Sequence, residues 1–177
     1  MRVVLIGARG CGKTTVGKLL AEKLSIPFVD LDERLTQREG RSIEAIVAAE
    51  GWEKFRDLET EILRGALSDA ALKHAAISTG GGAVLREANR ALLRASGAVV
   101  WLRASPEALL ARLLANPLGS QRPPLASLPL DEEIKAVLRE REPLYFQAAG
   151  HIIDAEEAPE IIRDKIIKKI NGHAAKP

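Results

Sequence analysis

Residues 2–18 read RVVLIGARGCGKTTVGK, and this stretch decides the fold. An apolar run, Val3–Ile6, leads directly into the pattern G-x-x-x-x-G-K-T, which spans Gly7 to Thr14. Short apolar runs are typical of buried strands, and the residues that follow the pattern have helical periodicity. A strand, a glycine-rich loop and a helix in this order are the context in which the pattern forms a phosphate-binding P-loop. A glycine-rich turn that matches by chance is the alternative, and it would not need all three elements in register.

The P-loop predicts a phosphate-binding site between the glycine-rich loop and the start of the following helix. Its glycines let backbone N–H groups turn inward around phosphate oxygens, and the following helix directs its positive end at the same anion. We expect Lys13 to reach the β- and γ-phosphates and the Thr14 hydroxyl to bind Mg²⁺. Cys11 is either a reactive thiol or a small residue that fills a loop position.

Strand and helix patterns alternate along the rest of the chain, which predicts an α/β three-layer α/β/α sandwich around a parallel sheet. The further predicted strands are 28–32, 75–78, 98–103 and 151–153. The predicted helices are 13–24, 32–38, 43–50, 52–74, 86–95, one opening at Ser105-Pro106, 131–142 and one opening at Pro159. Four prolines and a glycine in residues 116–130 predict a mobile lid. We expect residues 172–177 to form a flexible tail.

Length and composition fit a single domain, residues 1–177, with few aromatic side chains. The formal net charge is +2, and there is no basic stripe with interleaved aromatics, so we expect no nucleic-acid partner. No apolar run approaches the length of a membrane span, so we expect no membrane partner. The single cysteine excludes an internal disulfide and suits a reducing cytoplasm. We also expect a monomer.

Asp30 and Asp32 are alternate residues at the end of the predicted strand 28–32, at the sheet edge where parallel strands bind ligands. In the functional interpretation one carboxylate lies near Mg²⁺, and the other accepts a hydrogen bond from a substrate hydroxyl and orients the attacking oxygen. In the structural interpretation Asp30 and Glu33 cap a helix. We assign Asp30, with Thr14, to the metal. We assign Asp32, with Lys13 and Arg122, to catalysis.

Glycines and arginines supply the other candidates. Gly80, Gly81 and Gly82 predict close approach of a ligand to the backbone at a strand end, or else a flexible turn. Arg56 is either a clamp for a substrate carboxylate, held by Glu59, or half of a surface ion pair.

Two further arginines are candidates because of their positions. Arg141 falls on the apolar face of its helix, where a charge needs a partner such as a substrate carboxylate, unless it only complements the helix dipole. Arg122 lies in the proline-rich stretch, and a closing lid would bring it onto the transferring phosphate, unless it is simply a solvated loop residue.

Taken together, these motifs resemble the shikimate kinase family over nearly the whole chain, from Val3 to about Ile170. The P-loop alone is shared by many families, whereas the ordered combination is specific. The motifs are GARGCGKTT, FVDLD, GRSIEAI, EKFRDLE, STGGGAV, RPPL and REREPLY.

The resemblance implies a P-loop kinase-type fold with a small helical substrate-binding subdomain at about residues 32–61. It implies transfer of the ATP γ-phosphoryl group to the 3-hydroxyl of shikimate, a step toward chorismate and aromatic amino acids. By the same resemblance, Asp32 contacts the substrate hydroxyls, and Arg56, Gly81 and Arg141 hold the carboxylate side. Thr14 would ligate Mg²⁺, and Arg122 would contact ATP from the lid. The other residues that would bind ATP are Gly10, Cys11, Gly12, Lys13, Thr14 and Thr15.

One loop departs from the family pattern. Many members have an Arg or Gln near the adenine after the last strand, whereas residues 154–158 read DAEEA here. We therefore assign no adenine contact. The alternatives are another small-molecule P-loop kinase, such as a gluconate kinase, and a non-catalytic nucleotide-binding regulator. A regulator would be expected to lack Lys13, Asp32 or Arg122, and all three are present.

Overall fold

The computed structural model describes residues 1–116 and 128–173, with the side chain of His173 left aside. The predicted lid residue Arg122 lies outside these ranges, as does most of the predicted lid. The five strands are β1 (Val3–Ile6), β2 (Phe28–Asp30), β3 (Ala76–Ser78), β4 (Ala98–Arg103) and β5 (His151–Asp154). The seven helices of the described residues are α1 (Lys13–Leu24), α2 (Leu31–Glu39), α3 (Ile43–Ser68), α4 (Glu87–Arg94), α5 (Pro106–Ala115), α6 (Leu130–Ala148) and α7 (Pro159–His173).

The strands form one sheet in the order β2-β3-β1-β4-β5, and all neighbours are parallel. The central strand β1 is buried throughout, and its side chains alternate between the two faces. Val4 and Ile6 join the core beneath α3 and α4, whereas Val3 and Leu5 join the core beneath α1 and α7. The predicted three-layer α/β/α sandwich around a parallel sheet is therefore confirmed.

Parallel strands bring their carboxyl ends to one edge of the sheet, and ligands bind there in folds of this type. β1 ends at the P-loop, β2 at Asp30, and β3 at the turn that contains Gly80–Gly82. The topology thus brings the candidate motifs to one edge, as predicted from their order in the chain.

Several predicted boundaries were wrong, each for a local reason. The second strand ends at Asp30 instead of residue 32, because the Asp30 side chain accepts hydrogen bonds from the N–H groups of Asp32 and Glu33 and caps α2. The predicted break at Gly51 is confirmed, with φ 81° and ψ 170°, and helical structure resumes beyond it as predicted. The helix then ends at Ser68 instead of residue 74, and a short 3₁₀ turn follows at Ala70–Leu72.

Helix α6 continues to Ala148, although Pro143 led to a predicted end at residue 142. Pro143 is exposed, while Tyr145 and Ala148 beyond it extend the buried stripe of the same helix. The burial of this stripe outweighs the backbone hydrogen bond that proline removes. Helix α7 likewise includes residues 172 and 173, which the sequence assigns to a flexible tail. Among the described residues, no helix combines the length and the apolar character needed to cross a membrane.

Helix α1 packs closely on β2 at Gly17. A Cβ atom at Gly17 would lie 2.5 Å from Cε2 of Phe28 and 3.3 Å from Cδ1 of Leu5. Gly65, on α3, is exposed, and a Cβ atom there would have no neighbour within 4 Å. Gly17 and Gly65 both lie in helices, and they differ in whether an added methyl group would contact neighbouring atoms.

We predict that Gly17→Ala lowers the free energy of unfolding by about 1–3 kcal/mol, because the added methyl group overpacks the core. The matched variant Gly65→Ala should raise it by about 0.5–1 kcal/mol, the usual gain of alanine over glycine in a helix. Urea unfolding followed by circular dichroism measures both. A Gly17→Ala protein as stable as the parent would contradict this packing.

Candidate active site

The P-loop opens α1 without a side-chain cap. Gly10 and Gly12 have φ of +83° and +96°, a conformation that side chains other than glycine rarely adopt. Gly12 occupies the N-cap position, where it offers no side chain to the first-turn N–H groups of α1. No acidic residue lies in that first turn. The positive end of the helix dipole is therefore directed at the space enclosed by the loop, where an anion would be stabilised.

The Lys13 ammonium group is buried against its own loop. Its Nζ donates hydrogen bonds to the carbonyl oxygens of Gly7 at 2.8 Å and Ala8 at 2.9 Å, and lies 3.6 Å from Sγ of Cys11. Cys11 itself is 1% exposed. This burial supports the interpretation of Cys11 as a packing residue over that of a reactive thiol.

Asp30 links the P-loop to α2. Its Oδ2 accepts a hydrogen bond from the Thr14 hydroxyl at 2.8 Å, while Oδ1 accepts from the N–H of Asp32 at 3.0 Å. The capping interpretation of Asp30 is confirmed, and the same carboxylate also contacts the phosphate-loop threonine. A hydroxyl and a carboxylate are the hard oxygen donors that suit Mg²⁺. Within the described residues, no three His, Cys, Asp or Glu side chains gather as a metal cluster.

A cleft of ≈ 860 Å³ runs along the P-loop at the carboxyl edge of the sheet. The predicted residues that line it are Gly10, Cys11, Gly12, Lys13, Thr14, Thr15, Asp30, Asp32 and Gly81. Asp32 thus faces the same space as Lys13 and lies in the first turn of α2, half-buried. The volume falls in the range of small-molecule sites.

A second pocket adjoins the first, and Arg9 and Gly81 line both. Arg56 and Arg141 also line this second pocket. Both arginines are buried, and each of the two residues is only 7% exposed. The prediction that Arg141 points inward is therefore confirmed.

Arg56 is not part of a surface ion pair, the alternative that its spacing to Glu59 left open. Its Nη1 donates to Oε2 of Glu59 at 2.7 Å, and both side chains are buried. The guanidinium also lies 5.3 Å from the ring of Trp52 and 5.0 Å from that of Phe55. Burial raises the pKa of the Glu59 carboxyl, and the charges of Arg56 and Arg141 oppose that rise.

The glycine turn is the surface against which both arginines pack. A Cβ atom at Gly82 would lie 2.2 Å from Nη1 of Arg56, so this position excludes a side chain. The carbonyl oxygen of Gly81 accepts hydrogen bonds from Nη1 of Arg141 at 3.3 Å and from the Tyr145 hydroxyl at 2.6 Å. Gly80, Gly81 and Gly82 are all buried, which favours close approach over a flexible turn.

Arg112 is a cleft residue that the sequence analysis missed. Its Nη2 donates to the carbonyl oxygen of Ala155 at 2.6 Å, and the side chain lines the cleft beside Pro159 and Ile162. It lies on an ordinary amphipathic helix, α5, so no local pattern sets it apart. In the divergent loop 154–158, Glu156 accepts from the N–H of Ser105 at 2.8 Å. Hydrogen bonding with the side chain of Ser105, and then with its backbone, lowers the pKa of Glu156.

Comparison with known proteins agrees with this geometry. A family model described as shikimate kinase matches residues 9–171. The chain belongs to the shikimate kinase family. It is 44% identical over 171 residues to shikimate kinase 2 of Sodalis glossinidius, covering 97% of this chain and 96% of that protein. It is 47% identical over 152 residues to a shikimate kinase of Nitratidesulfovibrio vulgaris, covering 86% and 85% of the two chains.

Solved structures of the family have the same fold. Shikimate kinase from Acinetobacter baumannii in complex with shikimate superposes with a TM-score of 0.89 at 32% identity, covering 99% of this chain and 95% of that one. The Aquifex aeolicus enzyme gives 0.84 at 36% identity, covering 99% of each. A deoxyadenosine kinase from M. mycoides gives 0.61 at 15% identity, covering 97% of this chain and 100% of that one, which indicates the fold alone. The P-loop kinase-type fold is thus confirmed.

We predict that Glu59→Gln lowers the free energy of unfolding by about 3 kcal/mol, because it leaves the buried charge of Arg56 without its counter-ion. The control is Asp57→Asn on the same helix, where the carboxylate is exposed and pairs with Arg86 at 2.7 Å. Its loss should cost less than about 1 kcal/mol. Equal losses in urea unfolding would contradict the distinction between a buried and an exposed pair.

Proposed function

We propose that this chain transfers the γ-phosphoryl group of ATP to the 3-hydroxyl of shikimate, giving shikimate 3-phosphate and ADP. The observation that carries the proposal is the pair of buried arginines, Arg56 and Arg141, which converge on the Gly81–Gly82 backbone beside a P-loop cleft. Two guanidinium groups in one small pocket suit a carboxylate, which arginine binds through paired hydrogen bonds. Family membership supports the same substrate.

At the nucleotide end, the residues from Gly10 to Thr15 bind the phosphates through backbone N–H groups and the end of α1. Lys13 exchanges a carbonyl contact for a phosphate oxygen and neutralises charge on the transferring group. The guanidinium of Arg112, beside Pro159 and Ile162, offers a flat cation and apolar surface to a planar base. The divergent loop 154–158 then takes part through the Ala155 carbonyl that holds Arg112.

Thr14 and Asp30 would hold Mg²⁺, which supplies charge neutralisation at the phosphate oxygens when bound. The donor set fits this ion, since Mg²⁺ keeps several waters and uses one or two protein oxygens together with substrate phosphates. The Thr14–Asp30 hydrogen bond holds both oxygens on the same side of the cleft.

At the acceptor end, Arg56 and Arg141 hold the carboxylate and Gly81 offers its backbone. The Asp32 carboxylate accepts the proton of the 3-hydroxyl as the hydroxyl oxygen forms its bond to the γ-phosphorus. The bond from that phosphorus to the bridging oxygen breaks, and ADP leaves with the electron pair. Asp32 then returns the proton to solvent.

Four expectations from the sequence stay predictions. They are the contact of Arg122 with ATP, the monomeric state, the subdomain at about residues 32–61 and the cytoplasmic location.

The experiment that tests this function is ADP release with ATP and Mg²⁺, comparing shikimate, gluconate, quinate and AMP as acceptors. We expect turnover with shikimate alone. Turnover with gluconate would favour the rival small-molecule kinase. ATP binding without turnover on any acceptor would favour a non-catalytic regulator.

We predict that Asp32→Asn lowers kcat for shikimate by about 10²–10⁴-fold, the usual contribution of a positioned acid–base group. ATP affinity, measured by calorimetry, should change little, because the P-loop is untouched. Asp57→Asn makes the same chemical change at an exposed site and should retain the parent kcat. A near-normal kcat for Asp32→Asn would refute its role at the hydroxyl.

A further inference from the structure

Tyr145 is the largest fully buried side chain among the described residues, and it lines neither of the pockets beside the P-loop. Its hydroxyl donates to the carbonyl oxygen of Gly81 at 2.6 Å. Arg141, one turn earlier on α6, donates to the same oxygen at 3.3 Å. Two donors from one helix thus occupy the acceptor capacity of a single carbonyl.

The Gly81 carbonyl belongs to a peptide unit that touches each part of the site. A Cβ atom at Gly81 would lie 3.3 Å from the backbone N of Arg9, so the turn lies against the P-loop. The other half of the same peptide unit is Gly82, on which the Arg56 guanidinium packs. Anything that fixes this peptide plane therefore fixes the relative positions of Arg56 and Arg141.

The Tyr145 hydroxyl is well placed to fix it, because it donates directly to the carbonyl from a buried side chain. The ring stacks on Trp101 with centroids 5.6 Å apart and planes at 29°. Trp101 lies on β4 and pairs in register with Ile6, the last residue before the P-loop. Burial raises the pKa of the Tyr145 phenol, so its oxygen keeps its proton and stays a donor. At 2.6 Å its bond is shorter than that of Arg141, whose Nε makes no hydrogen bond.

We propose that Tyr145 is a positioning residue for acid binding: its hydroxyl anchors the Gly81 carbonyl and thereby leaves Arg141 oriented toward the substrate carboxylate. The inference rests on the proposed function and adds to it a residue that does not touch the substrate. Tyr145 shares the Gly81 carbonyl with the arginine and takes the shorter bond, and Arg141 lines the pocket beside that carbonyl.

The test is Tyr145→Phe, which keeps the ring, the volume and the stacking and removes one hydroxyl. We expect KM for shikimate to rise about two- to tenfold, the loss of one hydrogen bond. KM for ATP and kcat should stay within about twofold, as the P-loop and Asp32 are unchanged. An unchanged KM for shikimate, or an equal rise in both KM values, would overturn the proposal.

Trp101→Phe is the matched control, because it weakens the stacking and keeps the hydroxyl. We expect it to lower Tm while KM for shikimate stays near the parent value. If Trp101→Phe raises that KM as much as Tyr145→Phe does, Tyr145 acts through packing alone and the proposal fails. If the parent protein releases no ADP with shikimate, the proposed function fails first, which separates the two failures.

Discussion

Burial of the Arg56 guanidinium is the constraint on which the pocket lined by Arg56 and Arg141 depends. A charge that leaves water needs both a counter-ion and hydrogen-bond partners. Glu59 supplies the counter-ion, and the Trp52 and Phe55 rings supply polarisable surface. The absence of a side chain at Gly82 supplies the room. These conditions hold α3 against the turn after β3.

The same turn also lies between the P-loop cleft and the pocket lined by Arg56 and Arg141. Gly81 lines both pockets, lies against the P-loop backbone and accepts bonds from α6. The two substrates of a phosphoryl transfer must be held in line and close together, since positioning supplies much of the rate. A single peptide unit, Gly81–Gly82, contacts both pockets and so helps to meet that requirement.

The sequence predicted those parts that depend on local patterns. The strand, P-loop and helix at the N-terminus were predictable because loop chemistry and periodicity agree there. The inward direction of Arg141 was predictable because the stripe through Ile134, Val137 and Leu138 has helical spacing. The sheet edge that gathers the motifs followed from the alternation of strands and helices.

What the sequence left open depends on packing between distant segments. Whether Arg56 and Glu59 form a surface or a buried pair is decided by what covers α3, which spacing does not reveal. The continuation of α6 past Pro143 depends on burial of Tyr145 and Ala148 against the rest of the core. Arg112 gives no local signal because its partner, the Ala155 carbonyl, lies 43 residues away in the chain.

The bonds that Lys13 makes to Gly7 and Ala8 have a consequence for the speed of ligand capture. They hold the loop in its curved form through the Lys13 ammonium group. An arriving phosphate therefore binds a preorganised site, and little conformational entropy of the chain is lost on association. Capture then exchanges one oxygen acceptor for another around the same nitrogen. Binding to this preformed loop requires no prior folding of the loop. Nucleotides are therefore distinguished mainly by their dissociation rates.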